Sequence, residues 1–470
     1  MMWEDDDDLD EMPEEQTIRE FEQMLALNKS KFFDAAQFEE MFDYYLHRNK
    51  IKKAEKTLEI GLEQHPYSVE LKMRQCQLLI RRNQYEKCLQ LLDELDEILG
   101  PQADLYMMRG EVFSDMERHA EAAACLEKAA ELVENEDVEF LYIDIANEYF
   151  NDQKPDEAVH WLLKAIQTNP DLDLAYFELF QIYRTENNPE GAVAIFNDLI
   201  DADPYNPRPW YYLALAKLEL DKTFASIEAL DFALMLLPEY DEARLQKAEI
   251  LMDKEQYERA LEELEILEQR DYRVFYIAYC KGECFEMMGN FDLAKINYKK
   301  SIRLNEKYLG PWLGMAIVMA REGRYLEALP YIERSRKLDP DNPDVLLYTG
   351  LIYKALGKQR QAEDAYLELV ELDSGYDEAW IELADIQYSE GRLSDSAETL
   401  LEGLKSNPEN TRMMVRLAGY LCLLGNVPMG LEILENALEV NPDGASEFLE
   451  YFPALSHHPA ILEILANRNA

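Results

Sequence analysis

Cys280 and Cys284, four positions apart, are the side chains in this chain best spaced to share a metal ion, because on a helix they face the same way. A zinc site asks for four ligands, and neither a Cys-x-x-Cys nor a nearby histidine completes the set. His457 and His458 form a weaker pair beside Pro459, where loop histidines are solvated. Asp5 to Asp8 offer oxygen ligands but lack the glycine turn and distant glutamate of a calcium loop. The chain has no Gly-x-x-x-x-Gly-Lys phosphate loop, no His-Glu-x-x-His and no Gly-x-Ser-x-Gly elbow. Aspartates and glutamates number 95, so any two can be paired on paper as acid and base, and abundance selects none of them. The sequence therefore nominates no catalytic residue, no metal ligand and no cofactor-binding residue. Function has to be sought in surfaces.

Any such surface is positioned by a period of 34 residues. In the stretch 309–342, Trp312, Met315, Ala316 and Met319 fall at i, i+3, i+4 and i+7, the stripe of an amphipathic helix. Gly323 breaks the pattern, Ala328, Ile332 and Ser335 resume it, and Asp339-Pro340 ends it. Units of this helix-turn-helix kind begin at 35, 69, 103, 139, 173, 207, 241, 275, 309, 343, 377 and 411, with Asp137-Val138 inserted before the fourth. Position 20 of each unit is small: Ala54, Cys88, Ala122, Ala158, Ala192, Ser226, Ala260, Ala294, Ala328, Ala362, Ser396, Gly430. Position 24 is large, as in Leu58, Phe196, Tyr298 and Tyr366, so small alternates with large on one helix face. Position 8 of the first helix, held by Gly110, Ala146, Gly282 or Gly350, can then come close.

With these columns in view the chain resembles the tetratricopeptide repeat family, whose pattern has an aromatic at position 4, small residues at 8, 20 and 27, and proline at 32. Aromatics stand at position 4 in Phe38, Tyr106, Tyr142, Tyr176, Trp210, Trp312 and Trp380, and prolines at position 32 in Pro66, Pro170, Pro204, Pro238, Pro340, Pro408 and Pro442. Gly100, Glu134, Tyr272, Glu306 and Ser374 replace the proline, and looser joints are expected there. The resemblance implies an all-α fold, a right-handed α-α superhelix of about twelve tandem repeats over 35–444. Residues 1–16 carry nine carboxylates and no lysine or arginine, a composition expected to stay disordered. Residues 17–34 read as an N-terminal capping helix, with Thr17 and Glu20 spaced as a capping box and Ile18, Phe21, Met24 and Leu25 as its apolar stripe. Residues 445–470 read as C-terminal capping helices, with Phe448, Leu449 and Phe452 before Pro453 and Ile461, Leu462 and Leu465 after it.

Positions 2, 5, 9 and 12 form a stripe rotated away from the packing stripe at 4, 8 and 11. In the resembled family it lines a concave groove where extended peptides or partner helices lie. Here position 5 is apolar almost throughout, with Met107, Ile143, Phe177, Tyr211, Leu245, Tyr279 and Leu313, and Phe140, Phe150 and Tyr276 join it. Glu111, Glu242, Glu249, Glu283 and Glu286 flank this floor. An aromatic floor with an acidic rim is expected to bind a protein or peptide with basic flanks. Chaperone-binding relatives clamp a C-terminal carboxylate with lysine at position 5 and asparagine at 9. Here Asn147 stands at position 9 but Ile143 at position 5, so no clamp is expected.

Charge agrees with that partner class. Lys and Arg number 47 against the 95 acids, a net charge of −48, which disfavours nucleic acid and anionic membrane as partners. Acidic helix faces also keep an elongated protein in solution. The six cysteines fall inside repeats and fit a reducing compartment, no run of 18 apolar residues exists, and the start lacks a signal peptide's basic and apolar regions, so the expected location is the cytoplasm. The expected function is a non-catalytic scaffold or adaptor. A peptide-sensing regulator is the alternative within binding, and a hydrolase using groove carboxylates the alternative outside it.

Overall fold

The structure, a computed structural model, describes residues 15–27, 30–133 and 138–466, and among them every regular element is helical. The chain divides into two compact units, Met1–Glu239 and Tyr240–Ala470. In the first, α1 (Glu15–Leu27) precedes six helix pairs: α2 (Ala35–His47) and α3 (Ile51–Gln64), α4 (Val69–Arg81) and α5 (Tyr85–Leu99), α6 (Ala103–Asp115) and α7 (His119–Leu132), α8 (Val138–Asn151) and α9 (Pro155–Thr168), α10 (Asp173–Thr185) and α11 (Pro189–Ala202), α12 (Pro207–Glu219) and α13 (Thr223–Leu236). The second holds α14 (Asp241–Asp253) and α15 (Tyr257–Gln269), α16 (Val274–Met287) and α17 (Phe291–Leu304), α18 (Gly310–Arg321) and α19 (Tyr325–Leu338), α20 (Pro343–Ala355) and α21 (Gln359–Leu372), α22 (Asp377–Ser389) and α23 (Leu393–Ser406), α24 (Thr411–Leu423) and α25 (Val427–Val440). It closes with α26 (Gly444–Tyr451), a 3-10 turn at Pro453–Leu455 and α27 (Pro459–Ala466). Within each unit a helix packs chiefly on its sequence neighbours. No helix among the described residues is long and apolar enough to cross a membrane.

The pairs close by interlocking. An added Cβ at Gly282 would lie 2.5 Å from the Tyr298 ring, at Gly350 2.5 Å from the Tyr366 ring and at Gly110 2.7 Å from Leu126. In all three a bare backbone at position 8 receives the large side chain at position 24 of its own partner helix. The small column at position 20 is sealed alongside: Ala54, Ala122, Ala158, Ala260, Ala294, Ala328 and Ala362 are fully buried. At two positions where a polar atom replaces alanine it reaches the carbonyl of position 8, Ser226 Oγ donating to Ala214 O at 2.8 Å and Cys88 Sγ to Cys76 O at 3.7 Å, whereas Ser396 Oγ donates to Arg392 O of its own helix at 3.0 Å.

Successive pairs are latched through position 4. Trp210 Nε1 donates to Pro204 O at 3.2 Å, Trp312 Nε1 to Glu306 O at 3.1 Å, Trp380 Nε1 to Ser374 O at 2.9 Å, and the Tyr176 hydroxyl to Pro170 O at 3.1 Å. The acceptor is always the carbonyl of position 32 in the preceding repeat. The latch therefore persists where Glu306 and Ser374 stand in for proline, so the two joints expected to be looser keep this bond. Tyr272 differs: α15 ends at Gln269 and the chain turns through Asp271 and Arg273, both at positive φ.

The turn inside every pair carries a positive φ at position 15. Asn49, Asn83, Glu117, Gln153, Asn187, Asp221 and Glu255 adopt it in the earlier pairs, and Gly289, Gly323, Gly357, Gly391 and Gly425 in the later ones. Glycine reaches this region without the Cβ clash that other residues accept.

At the start, α1 begins at Glu15, so Thr17 lies inside its first turn rather than capping it. Glu20 instead accepts from Gln16 Nε2 at 3.2 Å and pairs with Lys31. The capping box sits on α2, where Asp34 Oδ1 accepts from Gln37 N at 2.8 Å and Asp34 N donates to Gln37 Oε1 at 3.1 Å. Ile18, Phe21 and Met24 of α1 are buried with Phe33, Phe38, Met41 and Tyr45. Of the acidic stretch 1–16, residues 1–14 lie outside the described residues. At the other end Phe448, Phe452 and Ile461 are buried while Leu462 is exposed; the Leu465 side chain lies outside the described residues. An added Cβ at Gly419 would lie 2.1 Å from the Phe452 ring, so this end is interlocked too.

Two substitutions separate the backbone term from the packing term. Around Gly357 nothing lies within 4 Å of an added Cβ, so Gly357→Ala is expected to cost only about 1 kcal/mol, the left-handed penalty. Gly282→Val drives a branched side chain into Tyr298 and is expected to cost more, about 1–3 kcal/mol. Urea denaturation ranks the two. Hydrogen exchange should show lost protection for Gly282→Val around α15 to α19 while α2 to α7 are unaffected, because each repeat touches only its neighbours.

Candidate partner-binding faces

The first helices of the pairs carry the residues nominated for binding, and the structure sorts them. In the first unit, Phe140 on α8 is 46% exposed and Phe177 on α10 is 43% exposed. Leu174, one turn before Phe177, is also exposed, although it was not singled out in the sequence. Met107 and Phe150 are half-buried, and Glu111 is exposed. Tyr211 is half-buried, with its ring edge-on to Tyr212 at 5.0 Å. Ile143 is corrected: at 3% exposure it packs inside the repeat and is not open to a partner.

The second unit holds a denser group. Tyr276, Tyr279 and Tyr308 form a triangle with ring centroids 5.2–6.1 Å apart, and Tyr298 lies 6.1 Å from Tyr279. Two glycines make it possible. An added Cβ at Gly310 would lie 2.6 Å from the Tyr279 ring and at Gly314 2.5 Å from Tyr298, so α18 can lie against both rings. Between these elements is a cleft of about 200 Å³ lined by Tyr279, Glu283, Glu286, Met287, Tyr298, Gly310, Leu313, Gly314, Ile317 and Asp344. Leu245 is corrected in the same sense as Ile143, being 6% exposed.

The carboxylates expected as an open rim are in good part engaged by phenols. Tyr276 donates to Glu249 Oε1 at 2.8 Å, Tyr279 to Glu283 Oε1 at 2.5 Å and Tyr298 to Glu286 Oε2 at 2.7 Å. Tyr272 donates to the exposed Glu242 at 3.3 Å, and burial pushes that phenol up to about 12. Glu286 is 7% exposed and also meets Arg321 Nη1 at 3.4 Å, so it is an interior group rather than a rim group. Glu283 has no lysine or arginine partner among the described residues. Burial pushes the Cys284 thiol up to about 12 and raises Cys280 as well, so both favour the protonated form near neutrality. Among the described residues no group of three or more His, Cys, Asp or Glu is placed to hold a metal ion.

Burial pushes the Glu283 carboxyl up to about 7; the Tyr279 phenol opposes the shift while Glu286 and Asp253 add to it. The groups facing it are Asp253 from α14, Tyr279, Cys280, Cys284 and Glu286 on α16, Tyr298 on α17 and Tyr308 before α18. An unfolded glutamate releases its proton near the ordinary value of 4.5. Between that value and about 7 the folded chain therefore holds a proton that the unfolded chain has lost, and stability declines as pH rises through this window. Glu283→Gln removes the effect. The stability of the variant relative to the parent is expected to grow by on the order of 1–3 kcal/mol between about pH 4.5 and pH 8. Parallel urea titrations across that range measure it, and a pH-independent difference would contradict it.

Comparison with known proteins agrees with the repeat geometry. Two family models, each described as tetratricopeptide repeat, match residues 143–207, 313–377 and 353–411 in one case and 103–135 in the other. TPR repeat-containing protein YpiA of Bacillus subtilis is 22% identical over 59% of this chain and 66% of its own length. The human protein O-mannosyl-transferase TMTC3 is 23% identical over 57% of this chain and 30% of its own. The chain thus spans just under two thirds of one relative and less than a third of the other. A crystal structure of a tetratricopeptide repeat protein from Parabacteroides merdae matches 53% of this chain and 98% of its own, with 16% identity and a TM-score of 0.40. The 34-residue register, the helix pairs it folds into and the matched family models together make this chain a member of the tetratricopeptide repeat family.

Proposed function

We propose that this protein is a non-catalytic interaction scaffold that holds a protein or peptide with basic flanks against the first-helix faces of its repeats. The observation that carries the reading is the pair Phe140 and Phe177, whose rings remain nearly half accessible although both helices are otherwise packed on neighbours. Large aromatic side chains left open on a rigid helix face are the usual anchors of a protein interface. In the second unit the tyrosine triangle and its carboxylates supply a second such face. The net charge of −48 favours basic partners and speeds their approach.

The reading is tested with a partner recovered from the native cell and then purified. Phe140→Ala combined with Phe177→Ala is expected to weaken binding by about 2–4 kcal/mol, mainly through faster dissociation. Phe224→Ala and Leu326→Ala, exposed positions on second helices, should leave it unchanged. Reversing the exposed Glu242 to lysine should chiefly slow association, and the effect should fade as salt shortens the screening length below about 10 Å. Equal affinity of the double alanine variant and the parent, at equal helicity, would refute the proposal.

A further inference from the structure

The cleft beside Tyr279 has features that a general binding face does not require. Its floor is aromatic because Gly310 and Gly314 leave room for the Tyr279 and Tyr298 rings. Met287, Leu313 and Ile317 add an apolar wall, and Met287 is 55% exposed, so the cleft opens to solvent on that side. Carboxylates stand at three places around it: Glu283 and Glu286 on α16 and Asp344 on α20. A narrow slot with apolar sides and carboxylates suits a group that is a hydrocarbon stem along its length and a cation at its tip. Aromatic ring faces add attraction for such a tip.

We propose that this cleft receives the side chain of a single lysine carried by the partner segment. The inference rests on the interaction reading above and names the group recognised in the second unit. The resident charges leave a place for it. Glu286 already meets Arg321 and accepts from Tyr298, and Asp344 Oδ1 accepts from the Tyr376 hydroxyl at 3.1 Å. Glu283 accepts only a phenol, from Tyr279, and lacks a counter-cation among the described residues. Once Glu283 has released its proton, an incoming ammonium would meet its free oxygen and balance the charge of a largely enclosed carboxylate, so binding is expected to strengthen as pH rises through about 7.

The same geometry selects lysine over arginine. A guanidinium gains most from a two-oxygen fork on one carboxylate. Here Oε1 of Glu283 is taken by the Tyr279 hydroxyl, and both oxygens of Glu286 face resident donors. One open oxygen suits a compact ammonium, which is a point charge and needs no fork.

Ligand-observed saturation-transfer NMR on the full chain tests this with three small probes: N-acetyl-lysine methylamide and its arginine and norleucine analogues. Saturation is expected on the lysine δ and ε methylenes, with apparent affinity at least about tenfold above either analogue. Glu283→Gln should weaken the lysine probe by about tenfold or more, since it removes the ionic partner while keeping the shape. Glu402→Gln, at an exposed carboxylate elsewhere in the unit, should leave it unchanged. Equal response to lysine and norleucine, or a lysine response that survives Glu283→Gln, would overturn the proposal, as would a preference for the arginine probe. If that occurs while the Phe140 and Phe177 double variant still loses its partner, the lysine slot falls and the scaffold reading stands. Should the double variant keep its partner while the lysine probe behaves as expected, the slot stands and the broader reading falls.

Discussion

The whole chain depends on one steric constraint: within a helix pair, the backbone at position 8 has to come within touching distance of the side chain at position 24. Glycine at 282 and 350 meets tyrosine at 298 and 366, and Gly110 meets Leu126. None of the described helices is stable alone, since their eight to fifteen residues are at best marginal in water without tertiary packing. The interlock provides that packing twice, because the filled seam of one pair also forms the surface on which the next pair rests. Tyr298 shows both uses, held by Gly282 of its own pair and by Gly314 of the following one.

From this constraint follow the latch and the turn. Once a pair is closed, its position-4 aromatic is held where its N–H or O–H can reach the carbonyl ending the previous repeat, and four such bonds from Tyr176, Trp210, Trp312 and Trp380 share that geometry. The short turn between paired helices has to pass through a left-handed residue, supplied by glycine in the later repeats and by Asn, Asp, Glu or Gln in the earlier ones. With the packing face committed in this way, the proposed partner face falls to those residues of positions 2, 5, 9 and 12 that stay exposed, such as Phe140 and Phe177.

Much of this was legible because packing writes itself into residue size at fixed spacing. The small column at 20 and the large one at 24 needed no coordinates. The turn column at 15 was hidden, since Glu117, Gln153 and Gly357 share a dihedral angle but no chemical property visible in sequence. Proline at 32 misled for the opposite reason: the latch uses its carbonyl, which Glu306 and Ser374 supply equally well. The candidate face was legible only in part. Ile143 and Leu245 lie on the nominated stripe yet are buried, because a stripe gives direction on one helix and not the distance to the next. Tyr308 was missed because position 34 lies off the stripe, in the turn before α18, whereas Met287, the last residue of α16, was not singled out. Thr17 and Glu20 had capping spacing, but the helix had already begun at Glu15.

The structure thus divides aromatic residues into those that build the repeats, such as Tyr298, Tyr366 and Phe196, and those that the repeats display, such as Phe140 and Phe177. That division is the central claim, and hydroxyl-radical footprinting of the chain with and without a purified partner tests it most directly. The account predicts that oxidation of Phe140, Phe177 and Met287 falls on complex formation while Tyr67, Phe224 and Leu326, exposed elsewhere, keep their reactivity. Shielding of Tyr67, Phe224 and Leu326 with undiminished oxidation of Phe140, Phe177 and Met287 would contradict it.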